Sequence, residues 1–405
     1  MNRVSEGRAL PGSSPFAFLW AAQFLSQFGD SIFQVAFIWL VLDLTGSKTL
    51  TGAAAAVAYL PSLLFGIGAG FLIDRWNRRA VMAWADLARA LLLVLGSWLL
   101  FEGRLNAAGL AAIAFGMATA AVLFNPARDS LLPELVPAAR LPSANAWIQL
   151  SQQAAWLAGP LAAGGVIAAG SVRAAFPFCA ALFACSFALL LFLRGVGRAH
   201  RGEGPQPGLA RDFLDGMREI LADRTLVLLL LLTALDNLFI MGPSLMLVVL
   251  VRDTLHLDAS AFAIAESAFG VGMILGSLVV GRVLGKARQG WVLLWAIALD
   301  GFTFVPLYFC RSFTYLYAAL LIHSIVIPFI TVTRPVILQR VIPPARLGRV
   351  FSLVNFTVFG VTAISVGLAG MVLDRITAPE MYAAIGILGG LTGLLGMMSR
   401  RLREL

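Results

Sequence analysis

The feature that most constrains the fold is a succession of long apolar stretches that fills almost the whole chain of 405 residues. A helix needs about 20 mostly apolar residues to cross the hydrocarbon core of a bilayer. Only 13% of the residues are charged, against about 25% in soluble domains. The chain is therefore predicted to be an all-α membrane protein with twelve transmembrane helices. The predicted spans are residues 16–44, 51–73, 81–101, 106–131, 143–170, 174–193, 225–251, 259–284, 291–310, 313–338, 348–373 and 381–398.

The positions of lysine and arginine predict the orientation of these spans. Of the 30 such residues, Arg89 lies within a span, and six fall in alternate turns that we place outside. Those six are Lys48, Arg104, Arg173, Arg252, Arg311 and Arg375. The other 23 fall at the termini, in the remaining turns or the span ends beside those turns, and in the hydrophilic interval. Because cytoplasmic loops carry the excess of positive charge, both termini are predicted to be cytoplasmic.

An internal repeat with a shift of 206 residues divides the chain. Residues 136–141 (VPAARL) align with 342–347 (IPPARL), and the same shift pairs Asp30 with Asp236 and Arg128 with Arg334. We therefore predict two parallel-related six-helix bundles, residues 1–194 and 225–405, with a substrate site between them. A cytoplasmic connector, residues 195–224, joins them. Its second part has the pattern of either a surface helix against the inner leaflet or a solvated linker.

A motif closes the second span and opens the next loop, at residues 70–79 (GFLIDRWNRR), where a glycine precedes an Asp-Arg pair and a basic pair. The glycine permits close helix approach, and the carboxylate of Asp74 can accept charge-assisted hydrogen bonds. The motif resembles the signature loop of the major facilitator superfamily, although Asn77 stands where that family usually has glycine. The resemblance implies a gating loop in which Asp74 is the cytoplasmic latch. Its residues here are Gly70, Asp74, Arg75, Arg78 and Arg79; the alternative is a positively charged loop with an incidental acid.

Two further segments narrow the resemblance. Gly159, Pro160, Gly164 and Gly165 in residues 159–165 (GPLAAGG) are similar to the antiporter motif of facilitator exporters, with the last glycines one residue late. Ordinary close packing of helices is the alternative interpretation. Residues 125–137 (NPARDSLLPELVP) and 27–30 (QFGD) resemble a bacterial branch that includes macrolide-efflux and enterobactin-exporter-like carriers. Lysophospholipid transporters share a similar first span, so the motifs indicate the branch and not the substrate.

Polar side chains within the spans are the candidates for the transport site. Gln23, Gln27, Asp30 and Gln34 lie on one helical face, which is predicted to line a cavity. An aspartate at mid-span costs about 2.5–3.5 kcal/mol on insertion scales and usually faces a cavity or a partner. Asp30 is therefore predicted to bind a proton or a cationic substrate; a purely structural buried acid is the alternative.

The other candidates follow from the same argument. Asp86 and Arg89, three residues apart, are expected to form a structural pair, whereas Asp300 has no evident partner in the sequence. The further proton-coupling candidates are Asp236, Asp300 and Glu266. The further cavity candidates are Gln149, Gln152, Gln153, Trp156, Asn237 and His323, of which His323 is more simply explained by packing.

Several classes of protein are excluded by what the sequence lacks. It has no phosphate-cradling loop of a primary pump, and its three scattered histidines and three cysteines cannot supply a catalytic or metal cluster. We therefore expect no enzyme activity, no cofactor, no metal and no nucleic-acid partner.

The leading hypothesis is a monomeric transporter in the bacterial inner membrane. It exports a small drug-like or secondary-metabolite molecule, of the macrolide or siderophore class, by proton antiport with alternating access. One alternative is a carrier of lysophospholipid or other lipids without obligatory proton coupling, and another is a transporter-like sensor or accessory subunit. The charge of the substrate, the coupling ion and the direction of transport stay open.

Overall fold

A computed structural model describes residues 14–193, 209–240, 242–285 and 287–405, which are helical almost throughout. The helices are α1 (Ser14–Thr45), α2 (Lys48–Val57), α3 (Leu60–Arg75), α4 (Arg78–Phe101), α5 (Ala107–Leu135), α6 (Leu141–Gly170), α7 (Ala175–Leu191), α8 (Leu209–Ala222), α9 (Arg224–Ile240), α10 (Pro243–Val249), α11 (Ala259–Leu284), α12 (Gln289–Phe302), α13 (Phe313–Val341), α14 (Pro344–Leu373), α15 (Ala378–Met397) and α16 (Arg400–Arg403). The expected all-α fold is confirmed.

Eleven segments within the described ranges are long and apolar enough to cross a membrane. They coincide with eleven of the twelve spans expected from the sequence. The remaining expected span, residues 143–170, corresponds to α6, a helix of 30 residues that is more polar because of its amide side chains. Twelve spans therefore remain a prediction.

Three of the expected spans are interrupted, and each interruption is next to a proline. α2 ends at Val57, and Pro61 lies in the first turn of α3. α9 ends at Ile240, and α10 begins at Pro243. α12 ends at Phe302 and is followed by a 3-10 turn, Val305–Phe309. Because proline lacks an N–H, it is tolerated at the start of a helix, where no intrahelical bond is lost.

Buried apolar residues form three clusters that show how the helices are arranged. The shared cluster combines residues from before 193, such as Trp39, with residues from after 209, such as Phe262. A second cluster contains only residues between 16 and 193, and a third contains only residues between 220 and 402. α1 runs from Phe16 in the second cluster to Trp39 in the shared one. The two parts of the chain thus share a core at one end of the helices, the shared end, and have separate cores at the other, the split end.

The contacts between the two parts are made mainly by α2 with α14 and by α6 with α11. Glycines allow close approach at both interfaces. A Cβ atom on Gly52 would lie 2.7 Å from the carbonyl oxygen of Val366, and one on Gly270 would lie 2.8 Å from the Cα atom of Leu157.

α8 belongs to the segment expected as a connector. It packs on α14 and α9, with Gly216 against Leu353 and Arg349. Ile220 is buried in the third cluster, while the neighbouring Leu221 is exposed. Residues 209–222 are therefore folded rather than a solvated linker. The glycine-rich part, residues 202–208, lies outside the described residues.

Candidate functional site

The polar face of α1 is divided between helix packing and exposure. Gln23 is fully buried, and the hydroxyl of Ser151 in α6 donates to its Oε1 at 3.0 Å. The Nε2 of Gln27 donates to the Oδ1 of Asn125 in α5 at 3.2 Å. These two amides therefore fasten α1 to its neighbours, whereas Gln34 is exposed. The expectation that this face lines a cavity stays a prediction.

Asp30 lies at the edge of a buried group of polar side chains, the Arg89 cluster: Ser26, Asp30, Asp86, Arg89 and Ser186. The Nη1 of Arg89 lies 3.4 Å from the Oδ2 of Asp30 and 3.3 Å from the Oδ1 of Asp86. It also donates to the Oγ of Ser26 at 2.8 Å, and Ser26 in turn donates to Asp86 at 2.9 Å. Ser186 supplies a further hydrogen bond to Asp86.

Exposure distinguishes the members of the Arg89 cluster. The side chains of Asp86 and Arg89 are 0% and 1% exposed, whereas that of Asp30 is 20% exposed. The guanidinium of Arg89 also lies over the rings of Phe124 and Phe183, at 5.5 Å and 5.2 Å from their centroids. Such placement favours a cation in an apolar setting. Asp30 is therefore the member that a small molecule or an ion can reach.

A second polar group, the Arg334 cluster, consists of Asp236, Asp300, Thr303, His323 and Arg334. The Nη2 of Arg334 donates to the Oδ2 of Asp236 at 2.8 Å. The Nδ1 of His323 lies 3.6 Å from the Oδ1 of Asp300 and 2.9 Å from the hydroxyl of Thr303. Asp300 also interacts electrostatically with Asp236 and Arg334. The expectation that Asp300 has no partner is therefore wrong, because a contact between α12 and α13 cannot be read from spacing along one helix.

Three carboxylate oxygens are buried without a hydrogen-bond partner among the described residues. They are the Oδ1 of Asp236, the Oδ1 of Asp300 and the Oε1 of Glu266. Glu266 lies in α11, where its carboxylate contacts Ser244 of α10. Buried polar atoms normally have partners, so oxygens of this kind are available to a proton or a cation.

The repeat-related residues are only partly equivalent in space. Asp30 and Asp236 are both in ion pairs, but with arginines from different positions of the repeat. Arg334 binds Asp236, whereas Arg128 binds its neighbour Asp129 at 2.8 Å and Asn125 at 3.3 Å. Asp30 and Asp236 are therefore equivalent in forming ion pairs with arginine, but the arginines that pair with them do not occupy repeat-related positions.

The remaining cavity candidates fall into two groups. Gln149, Gln153 and Trp156 are exposed along α6, and Gln152 is half-buried beside them. Asn237 and His323 are buried instead. The amide of Asn237 donates to the carbonyl of Thr233 at 2.7 Å, and the ring of His323 stacks on Phe304 at 3.9 Å. The structure thus gives these two residues packing partners.

The segment that resembles the antiporter motif lies where α6 contacts two helices. Gly159 faces Ser31 of α1, and Gly164 faces Ala263 of α11. Pro160 is buried inside the continuous helix, and nothing lies within 4 Å of a Cβ atom placed on Gly165. Two of the four residues therefore serve close helix packing.

The gating loop is described only in part. Arg78 forms an ion pair with Glu134 at 2.5 Å, and Arg79 donates to the carbonyl oxygens of Leu190 and Leu191 at 2.7 Å and 2.8 Å. All of these partners belong to the first part of the chain, before residue 193. The backbone of residues 70–75 belongs to α3, but the side chains of Asp74 and Arg75, and the surroundings of Gly70, lie outside the described part of the chain. The latch therefore stays a prediction.

The shared end carries a set of polar contacts that the sequence analysis missed, here termed the clasp. The Nζ of Lys48 lies 3.1 Å from the Oδ2 of Asp253 and donates to the carbonyl of Leu373 at 3.2 Å. The hydroxyl of Thr49 donates to Asp374 at 2.5 Å. Arg252 also lies 3.8 Å from the carboxylate of Asp43. These residues stand at or next to the ends of helices, where no sequence period indicates a partner in another helix.

Comparison with known proteins assigns the chain to a family. The sequence profile of a family described as transmembrane secretion effector matches residues 12–404. The chain belongs to this family. It is a multi-pass membrane transporter of the major facilitator type and not an enzyme, and similar proteins include macrolide and multidrug efflux pumps.

Two relatives illustrate the similarity in sequence. Macrolide efflux protein A of Streptococcus pyogenes is 25% identical to the transporter over 377 residues, which are 92% of this chain and 93% of that protein. The multidrug efflux pump Tap of Mycobacterium tuberculosis is 32% identical over 211 residues, which are 50% of this chain and 49% of that protein.

Solved structures share the fold of the transporter at low sequence identity. A variant of the nucleoside transporter NupG has a TM-score of 0.81 and 12% identity, over 95% of this chain and 99% of that one. A bacterial homologue of the iron transporter ferroportin in its inward-facing state has a TM-score of 0.75 and 16% identity, over 95% and 98%.

Proposed function

We propose that the transporter exports a small drug-like or secondary-metabolite molecule, of the macrolide or siderophore class, in exchange for protons. The observation that carries this proposal is the pairing of a reachable acid, Asp30, with the fully buried Asp86 and Arg89. A carboxylate that shares its counterion with another carboxylate is poised to accept a proton. The efflux pumps among the relatives support the direction of transport and the cargo class.

The arrangement of the clusters supports alternating access between two six-helix bundles, residues 1–194 and 225–405, with twelve spans in all. The split end carries Arg78, Arg79, Arg346 and Arg349, so the positive-inside rule assigns it to the cytoplasm. The separate cores then open a cavity towards the cytoplasm, while the clasp closes the outer side. The proposed state is inward-facing, and the exposed side chains of Gln149, Gln153 and Trp156 are the candidates to line its cavity.

In this mechanism, the substrate enters from the cytoplasm and binds beside ionised Asp30. The two bundles then rock about the site, the clasp opens, and the cytoplasmic side closes on the gating loop with Asp74 as its latch. A proton from outside neutralises Asp30 and releases the substrate. The neutral carboxyl permits the return to the inward-facing state, where the proton leaves to the cytoplasm.

The test is efflux from a bacterium that lacks its own drug pumps. Cells that produce the chain are loaded with a panel of macrolides, dyes and siderophores, with and without a proton uncoupler. We expect lower accumulation of at least one compound, abolished by the uncoupler and by Asp30→Asn. Glu102→Gln, which removes an exposed acid after α4, serves as the matched control. Efflux that persists fully with the uncoupler, or in Asp30→Asn, would contradict proton antiport at this residue.

A further inference from the structure

A groove opens on the surface of the transporter between α4 and α7. Its volume is about 410 Å³, within the range of about 300–1,000 Å³ that is usual for small-molecule sites. Helices α4 and α7 pack chiefly on each other, on α1 and on α5, which all belong to the first part of the chain. The groove therefore lies away from the contacts between the two parts, where the cargo is proposed to bind.

The lining of the groove is apolar. Its floor consists of three small residues that are at most 8% exposed, Ala90, Ser97 and Ala180. The hydroxyl of Ser97 donates to the carbonyl oxygen of Leu93 at 2.6 Å, so it is engaged within its own helix. The other lining residues are Leu87, Leu91, Val94, Pro177, Ala181 and Ala184. Because none of these described residues offers a charge or a free polar group, the part of a ligand that lies in the groove should be apolar.

The groove has the length of one leaflet and the width of one hydrocarbon chain. On α4 its lining runs from Leu87 to Ser97, a rise of about 15 Å, which is half of the hydrocarbon core of about 30 Å. The volume of 410 Å³ divided by this length gives a cross-section of about 27 Å², or about 5 Å across. A chain of methylene groups is about 4 Å thick at van der Waals contact, whereas a helix with its side chains is about 10–12 Å thick. The groove therefore fits an acyl chain and is too narrow for a helix of a second copy.

One end of the groove carries a cation. The groove lies at the shared end of the helices, since Ala90 and Ala180 belong to the shared cluster, and the orientation proposed above places this end in the outer leaflet. The 3-10 turn that contains Arg173 runs directly into α7 and contacts α4. Pro177 and Ala184 follow Arg173 by four and eleven residues, which is the spacing of one helical face. Arg173 therefore continues the groove face of α7 to the membrane surface.

Arg173 is also an outer cation that needs an explanation, because the positive-inside pattern leaves few cations on this side. Lys48 and Arg252 are paired in the clasp, and Arg311 donates to the carbonyl oxygen of Cys310 at 3.0 Å. The exposed guanidinium of Arg173 has no ion-pair or hydrogen-bond partner among the described residues. A phosphate group is a preferred partner of a guanidinium, and lipid phosphates lie at this height of a membrane.

We propose that the groove between α4 and α7 binds one acyl chain of a phospholipid of the outer leaflet, and that Arg173 binds the phosphate of that lipid. The acyl chain supplies van der Waals contacts that the atoms of the lining cannot make with one another. The same two helices carry part of the Arg89 cluster, where Ser186 of α7 bonds Asp86 of α4. The bound lipid therefore stabilises the helix pair that holds this cluster and does not contact the cargo.

Native mass spectrometry of the purified full chain in a mild non-ionic detergent tests the binding. The probes are palmitoyl-oleoyl phosphatidylglycerol and a diacylglycerol with the same acyl chains. We expect both to bind, the phospholipid more tightly. Ala181→Phe fills the groove and should abolish the binding of both. Arg173→Gln should weaken the binding of the phospholipid by up to about fivefold, the value of an exposed ion pair, and leave that of the diacylglycerol unchanged.

Ala384→Phe is the matched control for the groove variant. Ala384 is likewise exposed, and it is the seventh residue of α15, as Ala181 is of α7. The control should bind both probes as the unmodified chain does. Added phosphatidylglycerol should raise the melting temperature of the unmodified chain and of the control, because a ligand that binds the folded state stabilises it, and should not raise that of Ala181→Phe.

A phospholipid with a photoreactive group in its acyl chain locates the site in the unmodified chain, so this measurement does not depend on the folding of a variant. In proteoliposomes the cross-links should concentrate in residues 87–97 and 177–184. Cross-links spread evenly over the spans would mean ordinary contact with the bilayer and would overturn the inference, as would equal lipid binding by Ala181→Phe and Ala384→Phe. Unchanged phospholipid affinity in Arg173→Gln would refute the phosphate contact. A dimer that dissociates in Ala181→Phe would assign the groove to a second copy instead.

Discussion

The ammonium group of Lys48 lies 3.1 Å from the carboxylate of Asp253 and joins the start of α2 to the turn after α10. The side chains are 23% and 42% exposed, so the pair contributes only about 0.2–1 kcal/mol. A weak contact suits a closure that opens in each round of the proposed transport cycle. Since Lys48 also bonds the end of α14, the clasp connects both parts of the chain at the shared end.

Reversal of the charge at position 48 should disfavour the proposed inward-facing state. Lys48→Glu would place like charges beside each other, and about 1 kcal/mol would change the ratio of states about fivefold. Access from the cytoplasm can be measured as the rate of alkylation of Gln149→Cys in a chain without its own cysteines. This rate should fall when Lys48→Glu is added. The double exchange Lys48→Glu/Asp253→Lys should restore it. Arg104→Glu, at an exposed turn, is the matched control; an equal effect there would contradict a specific pair.

Close packing of α6 and α11 should be disturbed by an added methyl group at Gly270 and not by one at Gly281. In Gly270→Ala the new Cβ atom would meet the backbone of Leu157, and such overpacking costs about 1–3 kcal/mol. Nothing lies within 4 Å of a Cβ atom at Gly281, so Gly281→Ala should stabilise α11 by up to about 1 kcal/mol. The melting temperature in detergent should therefore fall in Gly270→Ala and rise in Gly281→Ala. A shift in the same direction for both variants would argue against the α6–α11 contact.

Arg89 should be required for stability because it is buried with two carboxylates. Arg89→Met removes the cation and leaves Asp86 unpaired, which costs about 3–5 kcal/mol. Arg89→Met/Asp86→Asn removes both charges of the inner pair and should recover most of the loss. The apparent melting temperature of the purified variants measures this. Equal melting temperatures for the single and the double variant would mean that the ion pair does not account for the effect.

The sequence predicted those features that depend on position along one helix. The apolar stretches located eleven helices that are long and apolar enough to span a membrane, and the three-residue spacing paired Asp86 with Arg89. It could not predict that Asp30 shares Arg89, or that His323 faces Asp300, because those contacts join different helices. The breaks at Pro61 and Pro243 were missed for a related reason. Proline is also accommodated inside continuous helices here, at Pro160 for example, so tertiary packing decides which proline interrupts a helix.

Asp236 and Asp129 provide a contrast between two acids whose arginine partners are related by the repeat. Asp236 is buried against Arg334, whereas the side chain of Asp129 is 61% exposed. Asp236→Asn should lower both the melting temperature and the efflux rate, because it leaves Arg334 unpaired and removes a proton-coupling candidate. Asp129→Asn should lower the melting temperature less than Asp236→Asn, because Arg128 also donates to Asn125 and the new amide oxygen can still accept a hydrogen bond from it.

The double variant Asp236→Asn/Arg334→Gln separates structure from coupling. With both charges removed, the melting temperature should return towards that of the unmodified chain, since no unpaired charge is left in the spans at this position. Efflux should not return if Asp236 takes part in proton coupling, because the amide cannot ionise. Efflux per folded molecule, measured after correction for the amount of protein in the membrane, decides between these roles. A double variant that exports at the normal rate would assign Asp236 to structure alone and leave proton coupling to Asp30 and the remaining acids.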